Sequence, residues 1–253
     1  MTFKNSSLDG TDYFYQPPLK GGSISYKVDL STVGCGCTAG IYAVNVSSYC
    51  NAENGDLDNP MCASMDIMQA NHAGFQTQMH PCSNGTCDVV SKCSYTMAKE
   101  GAKIYGEKAY GYGGSIIDTK KPFAVQTDFV TKGGYTNLWK VRSTLTQDSR
   151  TLKMEADCTD YIDSMTSKLD GGMSLTFSTW RHAGRSTDLA NFEDKTQCPT
   201  PKDKCDGAAV FSSVKVTTKG FDEEPRPEPT PEPEPKPEPK PEPTPEPEPK
   251  PEP

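Results

Sequence analysis

The groups most able to do chemistry lie in residues 62–71 (CASMDIMQAN) and in the His80-Pro81-Cys82 that follows. Asp66 brings a carboxylate, His80 an imidazole, Ser64 a hydroxyl and Gln69 an amide. A carboxylate can attack an electrophilic carbon or take a proton near neutral pH. A serine hydroxyl does so only beside an arranged base, and glutamine has no proton that titrates in that range. Ser64 and Gln69 do remain hydrogen-bonding partners for hydroxyl-rich ligands. A second group lies at residues 172–180 (GMSLTFSTW), where extended backbone sets Met173, Leu175 and Phe177 on one side and Ser174, Thr176, Ser178 and Trp180 on the other. A row of small polar groups ending in an indole suits the floor of a sugar site, with hydroxyls bonding the ligand and the ring stacking on a pyranose. A solvated sheet face with one Trp over an edge fits the same pattern.

Ten cysteines, Cys35, Cys37, Cys50, Cys62, Cys82, Cys87, Cys93, Cys158, Cys198 and Cys205, are interspersed with glycosylation sequons at Asn5, Asn45 and Asn84. The even count and the sequons point to an oxidising, extracellular or cell-surface setting with up to five disulfides. Connectivity stays open, but Cys35 and Cys37 point the same way on an extended chain and need separate partners. A zinc reading of His80, Cys82, Cys87 and Cys93 requires a reducing setting, and its spacing matches no common pattern, so no metal and no cofactor is expected. Net charge is −8 with no Lys/Arg cluster, which argues against nucleic acid and anionic membranes. The longest apolar run is far short of the ~20 residues of a membrane span. The opening MTFKNSSLDG does not read as a signal peptide.

The elements that must position these groups read as strands. Ile24, Tyr26, Val28 and Leu30 alternate with Ser23, Ser25, Lys27 and Asp29, and the theme recurs at residues 40–46, 122–130, 172–180 and 209–217 between Gly-, Asn- and Asp-rich turns. Many strands and few helices predict two packed antiparallel sheets, a disulfide-rich β-sandwich of the concanavalin-like or jelly-roll type. One short surface helix is predicted at residues 157–169, where Tyr161, Ile162, Met165 and Leu169 share a face. From Pro225 to Pro253 every second residue is proline, which excludes helix and sheet and leaves a polyproline II spacer of about 90 Å. The predicted organisation is an N-terminal extension (1–22), a sandwich (23–220) and a proline-rich tail (221–253).

The 62–71 segment and its His-Pro-Cys resemble the active-site strand of glycoside hydrolase family 7, which reads Glu-Met-Asp-Ile-Trp-Glu-Ala-Asn before a His-Pro-Cys at the same offset. Residues 23–46 resemble that family's flanking strands. Residues 117–129 (IDTKKPFAVQTDF) and 169–180 (LDGGMSLTFSTW) resemble its downstream elements in order. The resemblance implies a β-sandwich and retaining hydrolysis of β-1,4-glucan by two carboxylates about 5–5.5 Å apart. Carried over by position, the nucleophile falls on Ser64, the assisting aspartate on Asp66 and the acid/base on Gln69. His80 falls on a histidine beside the acid, and Trp180 on a tryptophan that stacks a sugar.

Only Asp66 keeps its chemistry, so the resemblance implies a domain that does not cut glycans. It would instead bind β-glucan or cellulose weakly through Trp180, Ser178, Thr176, Gln69 and His80, or build an extracellular assembly. The alternative is a divergent endo-β-1,4-glucanase using Asp66 with a second acid from Glu53, Asp56 or Asp58. Against the family, the early strands are missing, the 46–62 connection is short and Leu189 replaces a second tryptophan, which predicts a short, open cleft. Exposed sheet edges then require a cover: residues 1–22, a neighbouring copy or another part of a longer chain.

Overall fold

Alternation of apolar and polar residues pleats the principal strands into two largely antiparallel sheets. The computed structural model describes residues 4–6, 12–46, 62–83, 86–88, 91–133, 137–181, 193, 197–198, 205, 207–218 and 222–223. The principal strands are β1 (Ser23–Asp29), β2 (Cys37–Val44), β3 (Ser64–Asn71), β4 (Gly74–His80), β5 (Ser94–Thr96), β6 (Phe123–Lys132), β7 (Asn137–Gln147), β8 (Arg150–Ala156), β9 (Ser174–Arg181) and β10 (Val210–Thr217). One sheet runs β8-β7-β6-β1-β10, with the two-residue strand Asp222–Glu223 parallel to β6. The other runs β9-β2-β3-β4-β5.

The inward residues of both sheets merge into one core. Ile24, Val28, Phe123, Phe129, Val141 and Leu145 from the first sheet share a cluster with Ala39, Ile41, Met65, Ile67, Phe75 and Met79 from the second. This is the predicted sandwich. The predicted helix is broken in two, α2 (Thr159–Asp163) and α3 (Thr166–Gly171), after α1 (Ala102–Tyr105). The shared apolar face is buried, with Ile162, Met165 and Leu169 at no exposure, while Asp163, Ser164, Ser167 and Asp170 are exposed, as a surface helix requires.

Residues before β1 also enter the core. Leu19 is fully buried, its N–H donates to Leu169 O at 2.8 Å, and Gly21 and Gly22 exchange backbone hydrogen bonds with Phe129. Gly172 has φ +98°, and a Cβ there would meet Gln16 O at 2.2 Å, so only glycine lets this N-terminal stretch lie against the start of β9.

Cys35 pairs with Cys198 and Cys37 with Cys205, the separate partners required by their spacing. Cys82–Cys87 and Cys93–Cys158 are also bridged, and Cys62 is disulfide-bonded. Cys50 lies outside the described residues.

Candidate functional site

β3 is the middle strand of its sheet, so both its neighbours contribute to any site on its polar face. On β2, Tyr42 stands opposite Asp66 and Gly40 opposite Gln69. On β4, Gln76, Gln78 and His80 stand opposite Gln69, Asp66 and Ser64. Strict alternation would send Gln69 to the face opposite Asp66, three positions earlier. A β-bulge at Ile67 and Met68 inserts one residue and returns Gln69 to the face of Ser64 and Asp66. The structure thus brings Ser64, Asp66, Gln69 and His80 together.

Cross-strand amides tie this row down. Gln76 Nε2 donates to Gln69 Oε1 at 2.5 Å, and Gln78 Nε2 donates to Asp66 Oδ2 at 2.6 Å. His80 Nε2 lies 3.3 Å from the same Asp66 oxygen, while its Nδ1 lies 2.9 Å from Asp88 O. Burial works against a charged imidazole here. The charge and hydrogen bond of Asp66, together with the Asp88 carbonyl, outweigh it and hold the His80 pKa above its ordinary value. Asp88 is itself fixed by Tyr161 of α2, whose hydroxyl donates to its carboxylate at 2.9 Å.

On the other side, Trp180 Nε1 donates to Tyr42 OH at 2.7 Å, and Tyr42 also bonds Gln69 and Ser178. Burial first, then the charge of Asp66, pushes the Tyr42 phenol up, so it stays a neutral hydroxyl. The Tyr42 ring lies over Gly40, where an added Cβ would come within 2.3 Å of it. Tyr42, Asp66, Gln69 and Gln76 are each at most 4% exposed, whereas Thr176, Ser178 and Trp180 form a half-exposed rim on the adjoining strand.

Two side-by-side carboxylates could run glycoside hydrolysis; the arrangement found here is one carboxylate held by an amide and an imidazole. Among the described strand positions on this face, Asp66 alone is acidic. Glu193 lies beyond Asn71, which donates to its Oε1, as does Gly36 N at 2.8 Å. Burial raises the Glu193 pKa despite those two donors. It closes the end of the β3–β4 hairpin, bridged to Gly74. Glu53, Asp56, Asp58 and Leu189 lie outside the described residues.

Tyr42, Gln76, Gln78 and Glu193 were not singled out in the sequence. The alternation of Gln76, Gln78 and His80 with Phe75, Thr77 and Met79 is the signal that could have found the β4 row.

Among the described residues no free thiolate is on hand for a metal. Cys82, Cys87 and Cys93 are in disulfides, and although Cys35, Cys198 and His72 place ligand atoms within 4.8 Å of one another, both sulfurs are bridged. Of the sequons, Asn45 follows β2, and its Nδ2, the atom a glycan would take, donates to Gly172 O at 3.1 Å. Asn5 lies in the strand Lys4–Ser6, and Asn84 is outside the described residues.

No family model matches the chain. Endoglucanase EG-1 of Hypocrea jecorina is 26% identical over 215 residues, covering 68% of this chain and 46% of that enzyme. A probable endo-β-1,4-glucanase of Aspergillus terreus is 27% identical over 243 residues, covering 70% and 56%. The chain therefore spans about half the length of these curated relatives. Among solved structures, the Humicola insolens endocellulase Cel7B superposes with a TM-score of 0.61 at 16% identity over 85% of this chain and 75% of that one. A family 7 cellobiohydrolase from Daphnia pulex superposes with a TM-score of 0.59 at 15% identity over 85% and 77%. Relatives in sequence and neighbours in fold coincide, and together they show that this chain resembles the glycoside hydrolase family 7 cellulases and shares their β-sandwich fold.

Proposed function

We propose that this chain is a non-hydrolytic family 7-like module of an extracellular assembly, with weak β-1,4-glucan binding confined to the rim of Trp180, Ser178 and Thr176. One observation carries the reading: Asp66, the acidic residue among the described strand positions of this face, is already engaged by Gln78 and His80, while the positional resemblance puts Ser64 and Gln69 where retaining hydrolysis needs two acids. The buried Tyr42–Gln69–Gln76 row favours a structural role for the centre of the face, because its polar atoms satisfy one another. Disulfides and sequons support an oxidising, secreted setting.

The test is to incubate the purified chain with cello-oligosaccharides, follow new reducing ends, and run affinity electrophoresis through a soluble β-glucan gel. No cleavage is expected, with a modest retardation that Trp180→Ala removes. Reducing-end release that Asp66→Ala abolishes would overturn the reading and favour a divergent endoglucanase. Neither cleavage nor retardation would leave the structural module alone.

A further inference from the structure

On the other sheet, β6 and β7 change register between Val130 and Thr131: Val130 faces Lys140 and Thr131 faces Leu138, so Trp139 is the extra residue of a bulge. Lys140 Nζ lies 4.2 Å and Lys132 Nζ 5.7 Å from the centroid of its ring. Lys140 also pairs with Glu155 at 3.4 Å, and Arg142 holds the same carboxylate at 2.5 Å, with Asp128 across from Arg142. The result is a half-exposed indole flanked by cations, an arrangement the glucan-binding reading does not use.

We propose that Trp139 and Lys132 form a docking platform for the chain's own proline-rich segment, residues 225–253, bound in cis. Three observations meet here. Asp222–Glu223 pairs in parallel with Thr131–Lys132, so the proline run begins two positions beyond a strand that lies against Lys132. Proline at every second position favours polyproline II, which docks on aromatic platforms with little ordering entropy left to lose. Between the prolines, eight Glu stand against three Lys and one Arg, so the segment is acidic and complements the lysine-flanked indole. Proline rings pack on the open part of the indole while a neighbouring glutamate reaches Lys132.

Small-angle X-ray scattering of the 253-residue chain tests this, comparing wild type with Trp139→Ala and Lys132→Glu and checking each fold by circular dichroism. Docking predicts a compact wild type and a maximum dimension that grows by tens of Å in both variants, toward the roughly 90 Å that 29 residues reach at ~3.1 Å each. Lys132 is exposed, so Lys132→Glu decides the matter if Trp139→Ala does not fold. Superimposable profiles for all three proteins overturn the proposal. So does compaction that appears only as protein concentration rises, since the platform would then hold a second copy's tail.

Discussion

At the scale of single residues, the fate of the site turns on His80. Each of its ring nitrogens faces an acceptor, Asp66 Oδ2 on one side and Asp88 O on the other. A ring with one proton satisfies only one of them, and the doubly protonated ring satisfies both. Burial opposes that charge and Asp66 outweighs the penalty, so the folded pKa lies above the unfolded value of about 6.5. The stability contributed is therefore fully present below that unfolded value and is lost as pH rises through the folded pKa. His80→Gln should lower stability by about 1–3 kcal/mol at pH near 6, and by clearly less at pH near 9. Urea midpoints at the two pH values measure this, and an equal deficit at both would mean that the ring acts by packing alone. Ser64, Asp66, Gln69 and His80 were singled out through the family resemblance of residues 62–71 and of the His-Pro-Cys that follows. Tyr42, Gln76 and Gln78 were not, because their roles arise from cross-strand register, which no single strand's pattern encodes.

At the scale of elements, alternation revealed β1, β2, β6, β9 and β10, and the residues assigned inward there, such as Ile24, Val28 and Leu175, are buried. The β7–β8 hairpin and β4 lie outside the segments expected as strands, and the single helix expected at residues 157–169 is two: α2 ends at Asp163 and α3 restarts at Thr166. The bulge at Ile67–Met68 is the decisive local feature, and the pattern hid it because both residues are apolar and both are buried. Gly40 is its counterpart on β2, left without a side chain so that the Tyr42 ring can lie flat and reach Trp180. Gly40→Ala should displace that ring and cost about 1–3 kcal/mol. It should also shift Trp180 emission as the indole loses its acceptor. A double-mutant cycle with Tyr42→Ala isolates the cause. If the two substitutions simply add, the ring is not what excludes a side chain at Gly40.

At the scale of the whole molecule, the question is what holds the chain's end to its beginning. Cys35–Cys198 and Cys37–Cys205 span 163 and 168 residues, far more than the 5 spanned by Cys82–Cys87. The even cysteine count and the divergent partners of Cys35 and Cys37 were readable from spacing. Their partners were not, since they depend on which late segment folds back onto β2. In the chain-entropy model a loop of that length is worth roughly 5 kcal/mol, yet these twin bridges close nearly the same loop. Once one is formed, the second closes only the short ring between neighbouring cysteines, worth about 2–3 kcal/mol. Replacing either pair with serine should therefore lower stability by roughly 2–3 kcal/mol, and replacing both by roughly 7–8 kcal/mol, well beyond the sum of the two. Calorimetry on the two paired variants and the quadruple variant reads this directly. Additive losses would mean that each bridge stabilises by local native contacts and that β10, paired to β1, keeps the C-terminal strand in place without them.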